Sequence, residues 1–343
     1  MFVETTAKKS EKHTPSHNHI TLTMASTTPT GEITKILLLG AGELGTAFLP
    51  HISSLPNTHV TIGVRSPSKY THLQTSIIDL APIDLTSPSP ALSQTFAAYN
   101  TIISATGFAS SPGSVTKLAQ EVLGAGRLRE KKGQGRLWYF PWQWGVDYDV
   151  TLDGNGLMPL FGEQKAVRDL LRSEAEKSGV HWTVVSTGVF MSFLFEPFWG
   201  IVDRRKRKEE DGVEEEVAVR CLRDWEHGVT VTDVHDIGRV LKHILAGNVQ
   251  AENRVVYVAG DTVTYNDVAS IVEKVVGHQV VREKWNVEHL QGELRRDPED
   301  GIKKYRLVFA GEGVYWEKEK TINWESGMDM MGVEAYAKKV FAV

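Results

Sequence analysis

The sequence predicts an α/β protein: a doubly wound parallel sheet followed by a smaller α/β part. Three observations predict it. Short apolar runs of strand length alternate with amphipathic stretches of helix length across residues 34–190. The first of those runs, Ile36-Leu37-Leu38-Leu39, opens directly into Gly40-Ala41-Gly42-Glu43-Leu44-Gly45, a G-x-G-x-x-G with every glycine in place. The small-residue stretch Thr106-Gly107 and the aromatic stretch 141–149 both follow strand ends, where open parallel sheets bind their ligands.

Each element follows in order. Residues 1–33 are rich in Ser, Thr, Lys and His without periodicity and are expected to be a disordered tail, with His13, His17 and His19 solvated. The tail holds Glu4 and Glu11, no arginine and no apolar core, so neither a transit peptide nor a secretion signal is expected; Met24 is an alternative start. From Thr34 the fingerprint glycines divide the work. Gly40 permits the turn off the strand, Gly42 lets a pyrophosphate approach the backbone, and Gly45 lets a helix from Glu43 to Ser54 pack closely. That helix would aim its N-terminal N–H groups, from Gly42, Glu43 and Leu44 onward, at the phosphates. A second strand, His59 to Val64, ends in Arg65-Ser66-Pro67-Ser68-Lys69. No carboxylate is present there to hold a ribose 2′-hydroxyl, whereas Arg65 and Lys69 suit a 2′-phosphate, so NADP(H) is the expected cofactor.

A third strand region lies around Ile77–Leu85, its limits blurred by Pro82 and Pro88. A helix from Ser89 to Ala98 leads to a buried strand, Asn100 to Ala105, whose small-residue end at Thr106-Gly107 suits a backbone passing under a cofactor. Ser114 to Leu128 reads as a helix capped by Ser114, followed by a charged loop over 129–135 and a strand over 136–140. After the aromatic stretch, a helix is predicted from Phe161 to Lys177 and a sixth strand over 181–186. Residues 34–190 thus form the expected nucleotide-binding domain, and 191–343 the substrate-binding part. Asp203 to Glu216 is expected to be a solvated, charged loop. A strand over 230–234, a helix from His235 to Gly247, a strand over 254–258 and a helix capped by Thr264 with Asp267 in its first turn follow. The remainder has no clear pattern, and no internal repeat is present.

Composition narrows the function. A net charge of -5 and a pI near 6.2 offer no basic field for nucleic acid. Cys221 is the only cysteine, which excludes an internal disulfide and a cysteine-rich metal site and fits a reducing, cytoplasmic setting. The longest apolar run, Val189 to Val202, is short and broken by Glu196 and Pro197, so no membrane span is expected. No His/Asp/Glu spacing suggests a metal, and no G-x-S-x-G elbow is found.

Together these residues resemble the isoflavone-reductase-like and NmrA-like group of atypical short-chain dehydrogenases, most closely its fungal members, over roughly 34–276. Beyond the fingerprint with Val64-Arg65, the resemblance rests on Tyr139-Phe140-Pro141-Trp142-Gln143-Trp144-Gly145-x-Asp147, similar to the family's Phe-Ile-Pro-Ser-Glu-Phe-Gly-x-Asp. It rests also on Lys165 and Leu171 with Gly179-Val180-x-Trp182-Thr183-Val184-Val185 and Gly188-x-Phe190, and on Asp233-x-x-Asp236-Ile237-Gly238 and Tyr257-x-Ala259-Gly260. The resemblance implies a Rossmann domain with a smaller substrate domain, NADPH as hydride donor and a small aromatic or conjugated substrate, in secondary metabolism. It places the family's catalytic lysine on Lys165, expected in the first turn of its helix beside the cofactor. Dipole and desolvation there would lower its pKa toward the range useful for proton transfer. Trp142, Trp144, Tyr148, Phe190 and Phe193 are the expected substrate walls. The chain departs from the family where Trp142-Gln143-Trp144 replaces Ser-Glu-Phe, and it contains no Tyr-x-x-x-Lys. Those losses keep a second expectation open: a non-catalytic sensor of the dinucleotide that acts through a protein partner. Monomer and homodimer stay equally open.

Overall fold

The computed structural model describes residues 31, 33–107, 112–209 and 212–342, so nearly all of the expected tail lies outside the described residues. In chain order the strands are β1 (Thr34–Leu39), β2 (Thr58–Val64), β3 (Ile78–Pro82), β4 (Thr101–Ser104), β5 (Leu137–Phe140), β6 (Val180–Ser186) and β7 (Val189–Phe190). They continue with β8 (Val202–Glu209), β9 (Gly212–Leu222), β10 (Gly228–Thr232), β11 (Arg254–Tyr257), β12 (Asp261–Thr264) and β13 (Val281–Trp285). The helices are α1 (Glu43–Ile52), α2 (Ser89–Phe96), α3 (Ser114–Lys131), α4 (Tyr148–Thr151), α5 (Pro159–Glu174) and α6 (Val234–Leu245). After them come α7 (Tyr265–Val276), α8 (Val287–Arg296), α9 (Gly301–Phe309), α10 (Ile322–Glu325) and α11 (Val333–Phe341).

Seven strands form one parallel sheet in the order β11-β6-β5-β4-β1-β2-β3, a Rossmann-type arrangement. Its apolar runs are continuous because both faces are covered. Ile36, Leu38 and Ile103 pack with Phe48 and Leu49 of α1 and Val240 and Leu241 of α6. On the other face Leu37, Leu39 and Ile102 pack with Phe96 of α2, Leu118 and Val122 of α3, and Val167 and Leu171 of α5. The chain works outward from β1 to β3, then returns to lay β4 against β1. Leu39 pairs with both Gly63 and Ser104, so β1, β2 and β4 end level and their following residues share one rim. That rim, at the topological switch point, holds the site.

Several boundaries differ from expectation for identifiable reasons. β3 runs into Pro82, which an edge strand tolerates. α3 starts after Gly113, whose φ of 81° makes the turn, so Gly113 and not Ser114 is the N-cap. It continues to Lys131 because the Arg129 guanidinium folds back and donates to the Ala97, Tyr99 and Gly135 carbonyls. The charged stretch 203–216 is not a loop: β8 and β9 pair as an antiparallel hairpin. Its register sets Arg205 opposite Glu216, with the two charges 3.9 Å apart, and opposed charges of this kind support cross-strand pairing. The hairpin's base packs through Val217, Val219 and Cys221 into a further apolar core shared with Val231, Val268 and Phe309. The boundary expected at 190 is also crossed again, since β11 extends the main sheet and α6 packs on α1. The expected Thr264 cap is present as a full capping box with Asp267.

Candidate functional site

The glycine turn floors a groove of about 450 Å³ at the rim of β1, β2 and β4. Gly40 has φ 99°, and a Cβ there would meet the Ala105 carbonyl oxygen at 2.9 Å. A Cβ on Gly45 would come within 2.3 Å of the Gly40 carbonyl oxygen, so only glycine lets α1 start this close to β1. Nothing lies within 4 Å of the equivalent point on Gly42, which leaves open space above that backbone. No side chain caps α1. Gly40, Gly42, Arg65, Lys69, Thr106 and Gly107 all line the groove. Arg65 follows β2, and Lys69 sits on a 3₁₀ turn, Pro67–Leu73. Across from them Asp84 carries a carboxyl held below its usual pKa, first by hydrogen bonds from the Thr86 N–H and hydroxyl, and less by the Arg65 charge. An open glycine backbone, an uncapped helix start and two cations at the far end fit a phosphate-bearing dinucleotide. Of the other fingerprint residues, Leu44 turns into the neighbouring cavity and Glu43 faces a separate depression beside Asp233 and Tyr336.

Two cavities that adjoin each other lie on the same side of the fingerprint helix, the inner one reaching it at Leu44. The inner one, about 180 Å³, begins at Leu44 and is bounded by Trp142, Trp144, Tyr148, Phe161, Gln164, Phe190 and Phe193, with Tyr305 and Phe309 from α9. The outer one, about 630 Å³, shares Trp142, Leu160, Phe193 and Tyr305 and adds Phe198, Trp199 and Glu163. All five expected aromatic walls therefore meet here. Trp144 is anchored by an indole N–H donated to the Ser104 carbonyl at 2.8 Å and by an edge contact to Phe48. Tyr148 stands edge-on to Phe161, which stands edge-on to Tyr305, while Phe193 bridges Phe190 and Phe198. Burial pushes the Tyr148 hydroxyl well above its ordinary pKa; Tyr305 adds to this, and the Arg168 charge and a Gln164 hydrogen bond oppose it. Burial also lifts Tyr305, to about 12.

Behind this wall a fully buried Arg168 ties the aromatic stretch to α5 and β6. Its guanidinium donates to Gln143 Oε1, Asp147 Oδ1 and Asp149 Oδ2, each at 2.8 Å, and to Ser186 Oγ at 3.0 Å. Gln143 completes the link by donating its amide N–H to the Gln164 carbonyl, and Tyr257 of β11 donates its hydroxyl to Asp147. The departure at position 143 thus serves this network: an amide both accepts from Arg168 and donates to α5.

Lys165 is placed differently from expectation. α5 starts at Pro159, so Lys165 lies in the second turn, beyond the dipole's main reach. Its ammonium donates to both Asp169 oxygens at 2.7 and 2.6 Å and approaches Asp149 at 3.8 Å. It lines neither the groove nor the aromatic cavities, and the neighbouring Gln164 faces the inner one instead. Sequence reasoning also missed Arg168, Tyr257, Tyr305 and Phe309. The signal for Arg168 was available: Phe161, Gln164 and Arg168 stand at i, i+3 and i+7, one inward stripe carrying two polar residues. Among the described residues no three His, Cys, Asp or Glu side chains gather as they would around a metal, and no helix is long and apolar enough to cross a membrane.

Comparison with known proteins agrees with this geometry. The family described as "NmrA-like family" matches residues 32–310. A Gibberella moniliformis protein named as an NmrA-like family domain-containing oxidoreductase is 36% identical over 320 residues, 89% of this chain and 97% of that protein. Among solved structures, leucoanthocyanidin reductase from Vitis vinifera, a binary complex with NADPH, superposes with a TM-score of 0.69 at 15% identity, covering 90% of this chain and all of that one. An isoflavone reductase matches at 0.68 and 17%, covering 90% and 99%. The NADPH-dependent quinone oxidoreductase QOR2 of Escherichia coli, complexed with NADPH, matches at 0.66 and 15%, covering 89% and 99%. At such identities these likenesses establish the shared fold.

Proposed function

This chain belongs to the NmrA-like family, and from that premise we propose that it is an NADPH-dependent oxidoreductase that reduces a small aromatic or conjugated molecule. One observation carries the reading: the inner aromatic cavity begins at Leu44 of the fingerprint itself, so a ring seated there lies beside the groove that fits the dinucleotide. The relative named as an oxidoreductase and the NADPH complexes among the similar structures support it. When bound, the cofactor supplies hydride. The chain's own residues do the rest: Arg65 and Lys69 hold a 2′-phosphate, the aromatic walls seat the substrate ring and exclude water, and Tyr148 hands over the proton. Its raised pKa keeps the hydroxyl protonated until the substrate becomes basic. The Gln164 N–H and the Arg168 guanidinium, 5.2 Å from the ring, then favour the phenolate that remains. Lys165, held by Asp169 on the outer side of α5, has no part in this scheme.

Following NADPH absorbance with a panel of quinones, chalcones and other conjugated phenolics tests the reading; no turnover across the panel would sink it. Cofactor choice gives a sharper check. Arg65→Asp is expected to weaken NADPH binding about 100-fold and NADH binding only a few-fold, because a charge-assisted contact to the 2′-phosphate becomes a repulsion. Equal losses for the two cofactors would remove Arg65 from that contact.

A second reading, a dinucleotide sensor acting through a protein partner, is favoured by one observation. The titratable residues lining the aromatic cavities are Glu163, Tyr148 and Tyr305, and both tyrosine hydroxyls are pushed up, away from neutrality. Near-equal affinity for NADP+ and NADPH, together with a stable protein complex, would favour the sensor.

A further inference from the structure

Six Ser-Pro or Thr-Pro pairs occur in the chain, and Ser66-Pro67 alone has a lysine or arginine three residues after its hydroxyl, Lys69. Proline-directed protein kinases choose an acceptor by these two features: the proline has no N–H to leave unpaired, and the cation meets an anion of the enzyme. Ser66 is exposed, and its side chain caps nothing. The 3₁₀ turn that follows it, Pro67–Leu73, buries no residue, and Tyr70 leaves helical geometry within it at φ -122°. Such a segment opens into a kinase cleft at little cost. Ser66 also lines the nucleotide groove with Arg65 and Lys69, and its carbonyl accepts from the Lys69 N–H at 3.2 Å, which folds Lys69 back toward it. The charged residues lining that groove are Arg65, Lys69 and Asp84, a surplus of one positive charge. A phosphoserine there, at about −1.5 to −2 near pH 7, turns the surplus into a deficit.

We propose that Ser66 is a phosphorylation site of a proline-directed protein kinase, and that the phosphate it gains excludes the 2′-phosphate of NADPH from the groove. In the transfer the Ser66 Oγ attacks the γ-phosphorus of ATP and the bond from that phosphorus to the β,γ-bridging oxygen breaks. ADP leaves, and the hydroxyl proton passes to the kinase's catalytic carboxylate. The new dianion takes up the Arg65 and Lys69 charges that a 2′-phosphate needs, and it repels a second dianion beside them. NADH lacks that phosphate. Its ribose 2′-hydroxyl instead meets an anionic acceptor just past the end of β2, the arrangement that suits NAD. The proposal rests on the reading that Arg65 and Lys69 hold the 2′-phosphate, and it adds a covalent control to that subsite.

The experiment treats the full chain with ATP and a cyclin-dependent kinase–cyclin complex. Peptide mass spectrometry locates the phosphate, and calorimetric titration gives NADPH and NADH affinities before and after. The expected result is phosphate on Ser66, NADPH binding weakened about 100-fold and NADH binding changed no more than a few-fold. In Ser66→Ala, kinase treatment should leave both affinities where they stood, which separates Ser66 from the Ser-Pro sites at Ser87 and Ser89. No phosphate on Ser66 of the folded protein overturns the site. A loss that persists in Ser66→Ala overturns the exclusion, as does a fully phosphorylated protein that keeps its NADPH affinity or loses NADPH and NADH alike. Chain produced with phosphoserine encoded at position 66 reads that second arm without the kinase. Failure of the cofactor reading has a different signature. Unmodified protein that binds NADPH no more tightly than NADH sinks the 2′-phosphate assignment, whereas an NADPH-preferring protein indifferent to the phosphate sinks only the Ser66 inference.

Discussion

Replacing Arg168 by methionine is expected to destabilise the fold by about 3–5 kcal/mol, the scale seen when one partner of a buried ion pair is removed. The side chain is wholly buried and donates to two carboxylates, an amide, a hydroxyl and a carbonyl drawn from the 141–149 stretch and β6. Methionine fills comparable space but leaves Gln143 Oε1 and Asp147 without a donor they now have. Lysine should not rescue, since a single ammonium cannot replace a planar fork that reaches five groups. Urea denaturation followed by tryptophan fluorescence measures the change; a loss below 1 kcal/mol would mean the network is dispensable. The same cluster gives the stability an acid limb. Arg172 first, then Arg168, hold the Asp149 carboxyl well below the usual carboxylate range. A carboxylate with a depressed folded pKa contributes stability above its unfolded pKa of about 3.9, and the contribution drains away as pH falls further toward the folded value. Wild-type stability should therefore fall below about pH 4, and Arg172→Met should flatten that fall.

Much of this was readable because it is local. The strand–turn–helix with its three glycines, the Arg65 end of β2 and the Thr264–Asp267 box each depend on residues close in sequence, and the structure shows every one. What was missed depends on register or on distant partners. The charged stretch 203–216 has the composition of a solvated loop, and only its antiparallel register, which sets Arg205 opposite Glu216, makes it a hairpin. Tyr305 and Phe309 reach the cavity from a helix more than a hundred residues beyond the aromatic stretch. The most instructive miss spans a single residue. One step along a helix turns the side chain by about 100°, enough to put Gln164 on the cavity wall and Lys165 outside with Asp169. A helix predicted to start at Phe161 placed Lys165 in its first turn; the true start at Pro159 removes that premise.

The proton-transfer assignment makes the contrast between those neighbours measurable. Tyr148→Phe is expected to lower kcat by about 10²–10⁴, the usual scale of general acid catalysis, with NADPH affinity kept within a few-fold. The ring, its edge contact to Phe161 and its place over Arg168 survive that change; only the hydroxyl is lost. Lys165→Met should leave kcat within a few-fold, because an ammonium already shared between Asp169 and Asp149 makes no contact with the cavity. If Tyr148 is the donor, a solvent deuterium isotope effect on kcat should be present in the wild type. The tyrosine's high pKa also places any alkaline fall in its activity above pH 10. Should Lys165→Met abolish turnover while Tyr148→Phe leaves it intact, the proton comes from the outer side of α5, and the cavity must open toward Lys165 during the reaction.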